Sequence, residues 1–231
     1  MQHSVRPDEI ARFDTLAATW WDPAGPMAPL HAMNPLRTQW IDARLDRTTT
    51  LLDLGCGAGL ASEALAGFGH TVLGLDAASA LIQAATLHAE GQALPLTYRH
   101  ATAETLIAEG LTFGAVTALE VIEHVTDPVA FLVLLARLVQ PGGRVFISTL
   151  NRTVRSLAVA KIGAEYIARL LPRGTHDWRQ FVTPAELLRD ARAAGLKPVA
   201  TTGMTYDLRR RTWTLSADLG INYMAEFTRL S

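Results

Sequence analysis

The chain has 231 residues, 49% of them apolar and 19% charged, with a formal net charge of −1. This composition supports a sizeable buried core and excludes wholesale disorder, and it provides no global basic field to hold nucleic acid. Cys56 is the only cysteine, so an internal disulfide and a multi-cysteine metal site are excluded. Asp8, Glu9 and Asp14 precede any apolar run, and no uncharged apolar stretch of about 18 residues is present to span a bilayer. The chain reads as cytoplasmic and soluble.

Residues 1–46 are expected to contain helices around Ile10–Thr19 and Leu36–Leu45. Between them, WWDPAGPMAPLHAMNPLR (Trp20 to Arg37) predicts a stiff, oily, irregular segment, because proline removes a backbone donor and clashes with the preceding helical turn. Residues 47–150 then alternate. TLLDLG (50–55) is a short apolar strand, ASEALAGFG (61–69) a helix, TVLGLD (71–76) a strand and ASALIQAATLHAEG (78–91) a helix. LTYRHA (96–101) and FGAVTALEV (113–121) are strands. DPVAFLVLLARLVQPGG (127–143) carries helix start and stop signals, and RVFISTLN (144–151) is a fifth strand. Such alternation implies βαβ units around a parallel sheet with helices on both faces. Residues 151–182 form an insertion-like stretch. TPAELLRDARAAG (183–195) restarts a capped helix, and two further strands are expected near Lys197–Thr205 and Thr212–Ser216, joined around Arg209–Arg211.

The loop LLDLGCGAG places Gly55, Gly57 and Gly59 between a strand and a helix, where glycine allows tight turns and close approach of backbone to a ligand. Asp76 ends the next strand, the position from which an acid reaches two ribose hydroxyls. A dinucleotide fingerprint would want Gly or Ala at position 60, where this chain has Leu60.

The D-x-G-x-G-x-G pattern with its downstream acid resembles the class I S-adenosylmethionine-dependent methyltransferases. Outside this core, RFDTLAATWWDP, PLHAMNPLR, LEVIEHV, STLNRT, GAEYI, PRGTHDW and NYM occur in one order. Together they resemble the ubiquinone-biosynthesis O-methyltransferase family over nearly the whole chain. The resemblance implies one α/β domain over 1–231 with a Rossmann-like seven-stranded sheet, mostly parallel, its last strand antiparallel. Within it, 1–46 would be a lid, 47–150 the cofactor core, 151–182 an insertion facing substrate and membrane, and 183–231 the closing helix and strands.

It also implies O-methylation of ring hydroxyls of polyprenyl phenols (2-polyprenyl-6-hydroxyphenol and 3-demethylubiquinol), with S-adenosylmethionine as cofactor and other ubiquinone-biosynthesis enzymes as partners. Asp53 and the Gly55, Gly57, Gly59 loop would lie under the methionyl part, and Arg37 on its carboxylate. Asp76 would take the ribose, Thr102 and Ala103 would flank the adenine, and Leu119 would face the sulfur. Many relatives carry Asp where Thr102 stands. The oily lid, with Trp20, Trp21, Pro23, Met27, Pro29 and Leu30, would exclude water from a reaction that neutralises charge.

Glu120, Glu123 and His124 cluster after the fourth core strand, the edge where open α/β sheets bind ligands. A phenol with a pKa near 10 needs help to lose its proton. A base, an orienting group, an Mg²⁺ site built from the three residues and a plain capping loop are all compatible with the pattern. His31 and His176 are candidate pocket residues. In 156–171, Lys161, Glu165 and Arg169 share one stripe of a helical wheel and apolar residues fill most of the rest. Across 151–173, five basic residues face one acid. That pattern suits an anionic membrane surface, with the protein held peripherally on the inner membrane. Rival readings are another small-molecule methyltransferase, a nicotinamide oxidoreductase, which Leu60 disfavours, and a non-catalytic scaffold.

Overall fold

The computed structural model describes residues 7–157, 178–207, 210 and 212–230. Its centre is an eight-stranded sheet: β1 (Thr50–Leu54), β2 (Thr71–Asp76), β3 (Leu96–His100), β4 (Phe113–Leu119), β5 (Val139–Leu150), β6 (Leu196–Asp207), β7 (Thr212–Ser216) and β8 (Asn222–Arg229). The order is β3-β2-β1-β4-β5-β8-β6-β7. β1 to β5 are parallel, and β8 pairs antiparallel with both β5 and β6. The strands nearest the middle read as continuous apolar runs because helices cover both faces. Leu51, Leu52, Val116, Val145 and Ile147 are wholly buried.

The helices are α1 (Pro7–Asp14), α2 (Ala28–Asp42), α3 (Leu60–Gly67), α4 (Ser79–Ala89), α5 (Ala103–Ala108), α6 (Pro128–Leu138) and α7 (Pro184–Ala193). Two starts follow directly from the sequence. Asp127 accepts from the N–H groups of Val129 and Ala130 at the head of α6, with Pro128 in its first turn. Thr183 and Glu186 form a reciprocal capping box on α7.

Four features differ from the sequence expectation. The sheet has eight strands where seven were expected: the expected β6 and β7 pair as an edge hairpin, and β8 is an additional strand inserted between β5 and β6. β8 itself carries no clear strand signal: Glu226 interrupts the apolar run and is buried only because Arg44 and Arg144 reach it at 3.3 and 2.8 Å. β5 begins at Val139 and runs through the Pro141-Gly142-Gly143 stretch that reads as a helix stop.

The fourth difference is the proline-rich segment, half of which is helix. α2 begins at Ala28 with Pro29 in its first turn, where the missing N–H has no partner to lose, and it carries Pro35 inside. An interior proline costs about 3 kcal/mol. The face that buries Met33, Arg37, Trp40 and Ile41 offsets it. The proposed membrane helix 156–171 lies almost wholly outside the described residues, as does His176. No described helix is long and apolar enough to cross a membrane.

Candidate active site

β1, β2 and β4 end at Leu54, Asp76 and Leu119 on one edge of the sheet, and the chain leaves each through a polar turn. Gly55, Gly57 and Gly59 all have positive φ (73, 58 and 93°). The loop is closed on Asp76, whose Oδ2 accepts from the N–H of Gly57 at 2.9 Å and whose Oδ1 accepts from Ala78 at 2.8 Å. A carboxylate offers about four lone-pair sites, so both oxygens keep capacity for ribose hydroxyls. Burial raises the pKa of Asp76, and the two backbone donors oppose the rise. Thr102 and Ala103 follow β3 next to it, and the Ala101 N–H reaches the Asp76 carbonyl at 3.2 Å.

Asp53 is 2% exposed. It accepts from Ser62 at 2.6 Å and Thr117 at 2.8 Å, which tie β1 to α3 and β4 beneath the loop. Its side chain thus holds the base of the loop.

The N-terminal segment lies over this edge. A β-carbon on Gly57 would collide with the Trp20 indole, so the indole rests directly on that glycine. Trp21 donates to the Ala58 carbonyl at 3.0 Å and stacks on His88 with ring centroids 3.4 Å apart. His88 in turn pairs with Glu63 at 2.8 Å. His31 bonds the Trp20 carbonyl at 2.8 Å, which makes it a brace of the cover. Leu16, Trp20, Met27, Ala58, Ala78 and Leu81 form one apolar cluster joining cover, loop and α4.

Past β4 the chain turns through Glu120 at φ 58°, a left-handed conformation uncommon outside glycine that clusters at functional sites. Glu120 Oε1 accepts from Ser148 at 2.6 Å and lies 3.8 Å from the Arg37 guanidinium. Asn222 at the head of β8 places its Nδ2 at 3.5 and 3.4 Å from the two Glu120 oxygens. Burial lowers the pKa of Arg37, while Glu120 and Asp53 pull it back up. Glu123 is turned inward, 3% exposed, and accepts from Thr149 at 2.8 Å. Burial, then the nearby Glu120 charge, push its pKa up to about 8. The His124 ring faces the cover instead, edge-on to Phe13 at 5.4 Å.

The three side chains thus diverge, and their arrangement lends no support to the Mg²⁺ expectation. Glu120 is held by Arg37, Ser148 and Asn222, Glu123 turns inward to Thr149, and the His124 ring faces Phe13 of α1. Among the described residues no group of three His, Cys, Asp or Glu side chains could hold a metal ion.

Five buried polar atoms at this edge have no hydrogen-bond partner among the described residues: Trp20 Nε1, Asn34 Oδ1, Arg37 Nε, Glu123 Oε1 and Asn222 Oδ1. Orphaned buried groups cost about 1–3 kcal/mol each. Those of Trp20, Asn34 and Arg37 sit on the N-terminal segment beside the glycine loop and fit a polar ligand with both donors and acceptors. An α-amino-acid nucleoside such as S-adenosylmethionine has both, with Arg37 Nε available to its carboxylate. Ser148, Thr149 and Asn222 were not singled out from sequence. The STLNRT stretch, which Ser148 and Thr149 open, and the NYM stretch, in which Asn222 stands, carried the signal.

A family model described as a methyltransferase domain matches residues 30–201. A ubiquinone biosynthesis O-methyltransferase of Caulobacter vibrioides is 48% identical over 98% of this chain and 95% of its own length. Proteins of the same name from Methylobacterium nodulans and Dinoroseobacter shibae are 46% and 44% identical, over 96% and 98% of this chain and 94% and 97% of their own lengths. Among solved structures, a magnesium protoporphyrin IX methyltransferase from Synechocystis with bound S-adenosylhomocysteine shares the fold at TM-score 0.67 and 20% identity, covering 96% of this chain and 98% of that one. An S-adenosylmethionine-dependent methyltransferase from Thermotoga maritima does so at TM-score 0.68 and 14% identity, covering 95% and 99%. With near-full-length identity on this fold, the chain belongs to the ubiquinone biosynthesis O-methyltransferase family.

Proposed function

We propose that the protein transfers a methyl group from S-adenosylmethionine to a ring hydroxyl of polyprenyl phenols in ubiquinone biosynthesis, with 2-polyprenyl-6-hydroxyphenol and 3-demethylubiquinol as its acceptors. The observation that carries this reading is the 44–48% identity to ubiquinone biosynthesis O-methyltransferases over nearly the whole chain. The cofactor supplies an activated methyl group on a sulfonium. Asp76 holds its ribose and Arg37 its carboxylate. The Gly55–Gly59 backbone runs along its methionyl part, Thr102 and Ala103 border the adenine, and Leu119 faces the reacting centre.

The Phe13–Trp20–Met27 cover keeps water from this edge. Opposite charges cancel on the way to the transition state, so solvating water would hold the reaction back. His124 lies on the same side as the cover and takes the phenolic proton. Glu120 is already engaged by Ser148, Arg37 and Asn222, and Glu123 is turned inward to Thr149, so neither faces an acceptor as the imidazole does.

Acceptors with a polyprenyl tail reside in lipid. The segment 151–173, with its excess of basic residues, is the proposed contact with an anionic membrane surface, which would hold the protein peripherally on the cytoplasmic side of the inner membrane. Incubation of the purified protein with S-adenosylmethionine and a short-chain prenyl catechol, read by mass spectrometry, is expected to give the mono-O-methyl ether. Transfer to amines or carboxylates but to no phenol would overturn the reading.

A further inference from the structure

Asn222 plays no part in the cofactor contacts above, yet it is 3% exposed at the reactive edge. It opens β8 and is in register with Leu150, where β5 ends. This places it at the same edge as the glycine loop but across the sheet. Adjacent strands are about 4.8 Å apart, so β8 lies roughly 10 Å from β4 and roughly 14 Å from β1. The ribose and glycine-loop contacts belong to β1 and β2. Asn222 therefore borders the far side of the reacting centre, where the acceptor ring must lie.

The orientation of its amide follows from its neighbour. Nδ2 approaches both oxygens of Glu120, at 3.5 and 3.4 Å. The flipped amide would set a carbonyl oxygen against a carboxylate. Glu120 is itself fixed by Ser148 and by the Arg37 charge. Asn222 Oδ1 is thus directed away from Glu120, and it is one of the buried atoms without a partner. A carbonyl oxygen accepts only, so it requires a ligand that donates.

The reacting oxygen gives up its proton during transfer and has none to offer. A hydroxyl on the neighbouring ring carbon keeps its proton throughout. We infer that Asn222 is an acceptor-binding residue whose Oδ1 takes a hydrogen bond from the hydroxyl next to the one methylated, which selects vicinal dihydroxy rings over simple phenols. This inference rests on the phenol-methylating reading. A buried carbonyl built for a hydroxyl is left unpaired by a substrate that lacks one, and that loss is the source of the discrimination.

The test compares an alkyl catechol with the matching alkyl phenol that lacks the second hydroxyl. It uses the wild-type protein, Asn222→Ala and Asn222→Ser, with S-adenosylhomocysteine affinity measured by calorimetry for each. The wild type is expected to favour the catechol in kcat/KM by about ten- to hundredfold. In both variants that ratio is expected to fall toward unity, mainly through a raised KM for the catechol, while S-adenosylhomocysteine affinity stays within about twofold.

Several results would overturn the inference: equal use of the two acceptors by the wild type, a preference that survives substitution, or a loss confined to S-adenosylhomocysteine binding, which would make Asn222 a cofactor residue. The wild-type ratio decides even if a variant fails to fold. Absence of methyl transfer to either phenol by the wild type would instead remove the reading beneath, and the inference with it.

Discussion

Replacing Glu123 by Gln should remove a pH dependence of stability that the wild type shows, so that the two proteins exchange rank between acid and alkaline pH. Glu123 is buried beside Glu120, and its pKa is pushed from 4.5 up to about 8. The folded state therefore holds a proton that the unfolded chain releases at lower pH. The stabilisation is complete below about 4.5 and is lost as pH rises through about 8. Each pH unit in that window is worth about 1.4 kcal/mol, so the wild type should lose about 4 kcal/mol from this group between about pH 5 and about pH 9.

Gln cannot ionise and so loses nothing over that range. Its amide does leave unpaired hydrogens where Oε1 already lacks a partner, a fixed cost of about 1–3 kcal/mol at every pH. The variant should thus be the less stable protein at about pH 5 and the more stable at about pH 9. Urea unfolding at a series of pH values, taken as the difference between the two proteins, isolates the group. A difference that stays constant with pH would refute the argument and show Glu123 to be ionised in the folded protein.

Asp76→Ala should weaken S-adenosylhomocysteine binding by the loss of two charge-assisted hydrogen bonds of about 1.5–3 kcal/mol each, and unchanged calorimetric affinity would place the ribose elsewhere. Gly57→Ala should destabilise the fold, since φ 58° costs an alanine about 1–2 kcal/mol, and should also displace Trp20, seen as a change in tryptophan fluorescence. Gly110→Ala, at φ 74° with open space around it, is the control that carries strain alone. His124→Ala should cut kcat by about 10²–10⁴ if the imidazole takes the proton; full activity would pass that role to solvent, and activity abolished by chelator and restored by Mg²⁺ would reinstate the metal reading. Flotation with liposomes should require anionic lipid and weaken with salt, and protein that sinks with every lipid would assign 151–173 to another task.

The cofactor half of the molecule was legible because its signals are local. The glycines, Asp76, the Asp127-Pro128 start and the Thr183 capping box each act within a few residues, and all lie where the pattern puts them. The acceptor half was not. Asn222, Ser148 and Glu120 come together only because β8 lies beside β5, a pairing between segments far apart in the chain. Glu120-x-x-Glu123-His124 looked like one constellation because the residues are consecutive, yet the left-handed turn at Glu120 and the short 3₁₀ turn at Ile122–His124 send the side chains three ways. The start of α2 was missed because proline is a weak veto in a first turn and a costly one only inside.

The position of β8 also sets an order of assembly. β1 to β5 join through short βα units, and β6 with β7 forms a hairpin, so both pieces can collapse on their own sequence-local contacts. β6 pairs with the rest of the sheet only through β8, so the sheet is not continuous until β8 arrives. A chain caught before that moment would expose two unpaired rows of backbone donors and acceptors, along β5 and along β6, each a template for another molecule. It would already possess the glycine loop and Asp76 but not Asn222. On the proposed function, such an intermediate would hold a nucleoside while blind to its acceptor, and nucleoside in the refolding medium would act on the early half of the reaction coordinate alone.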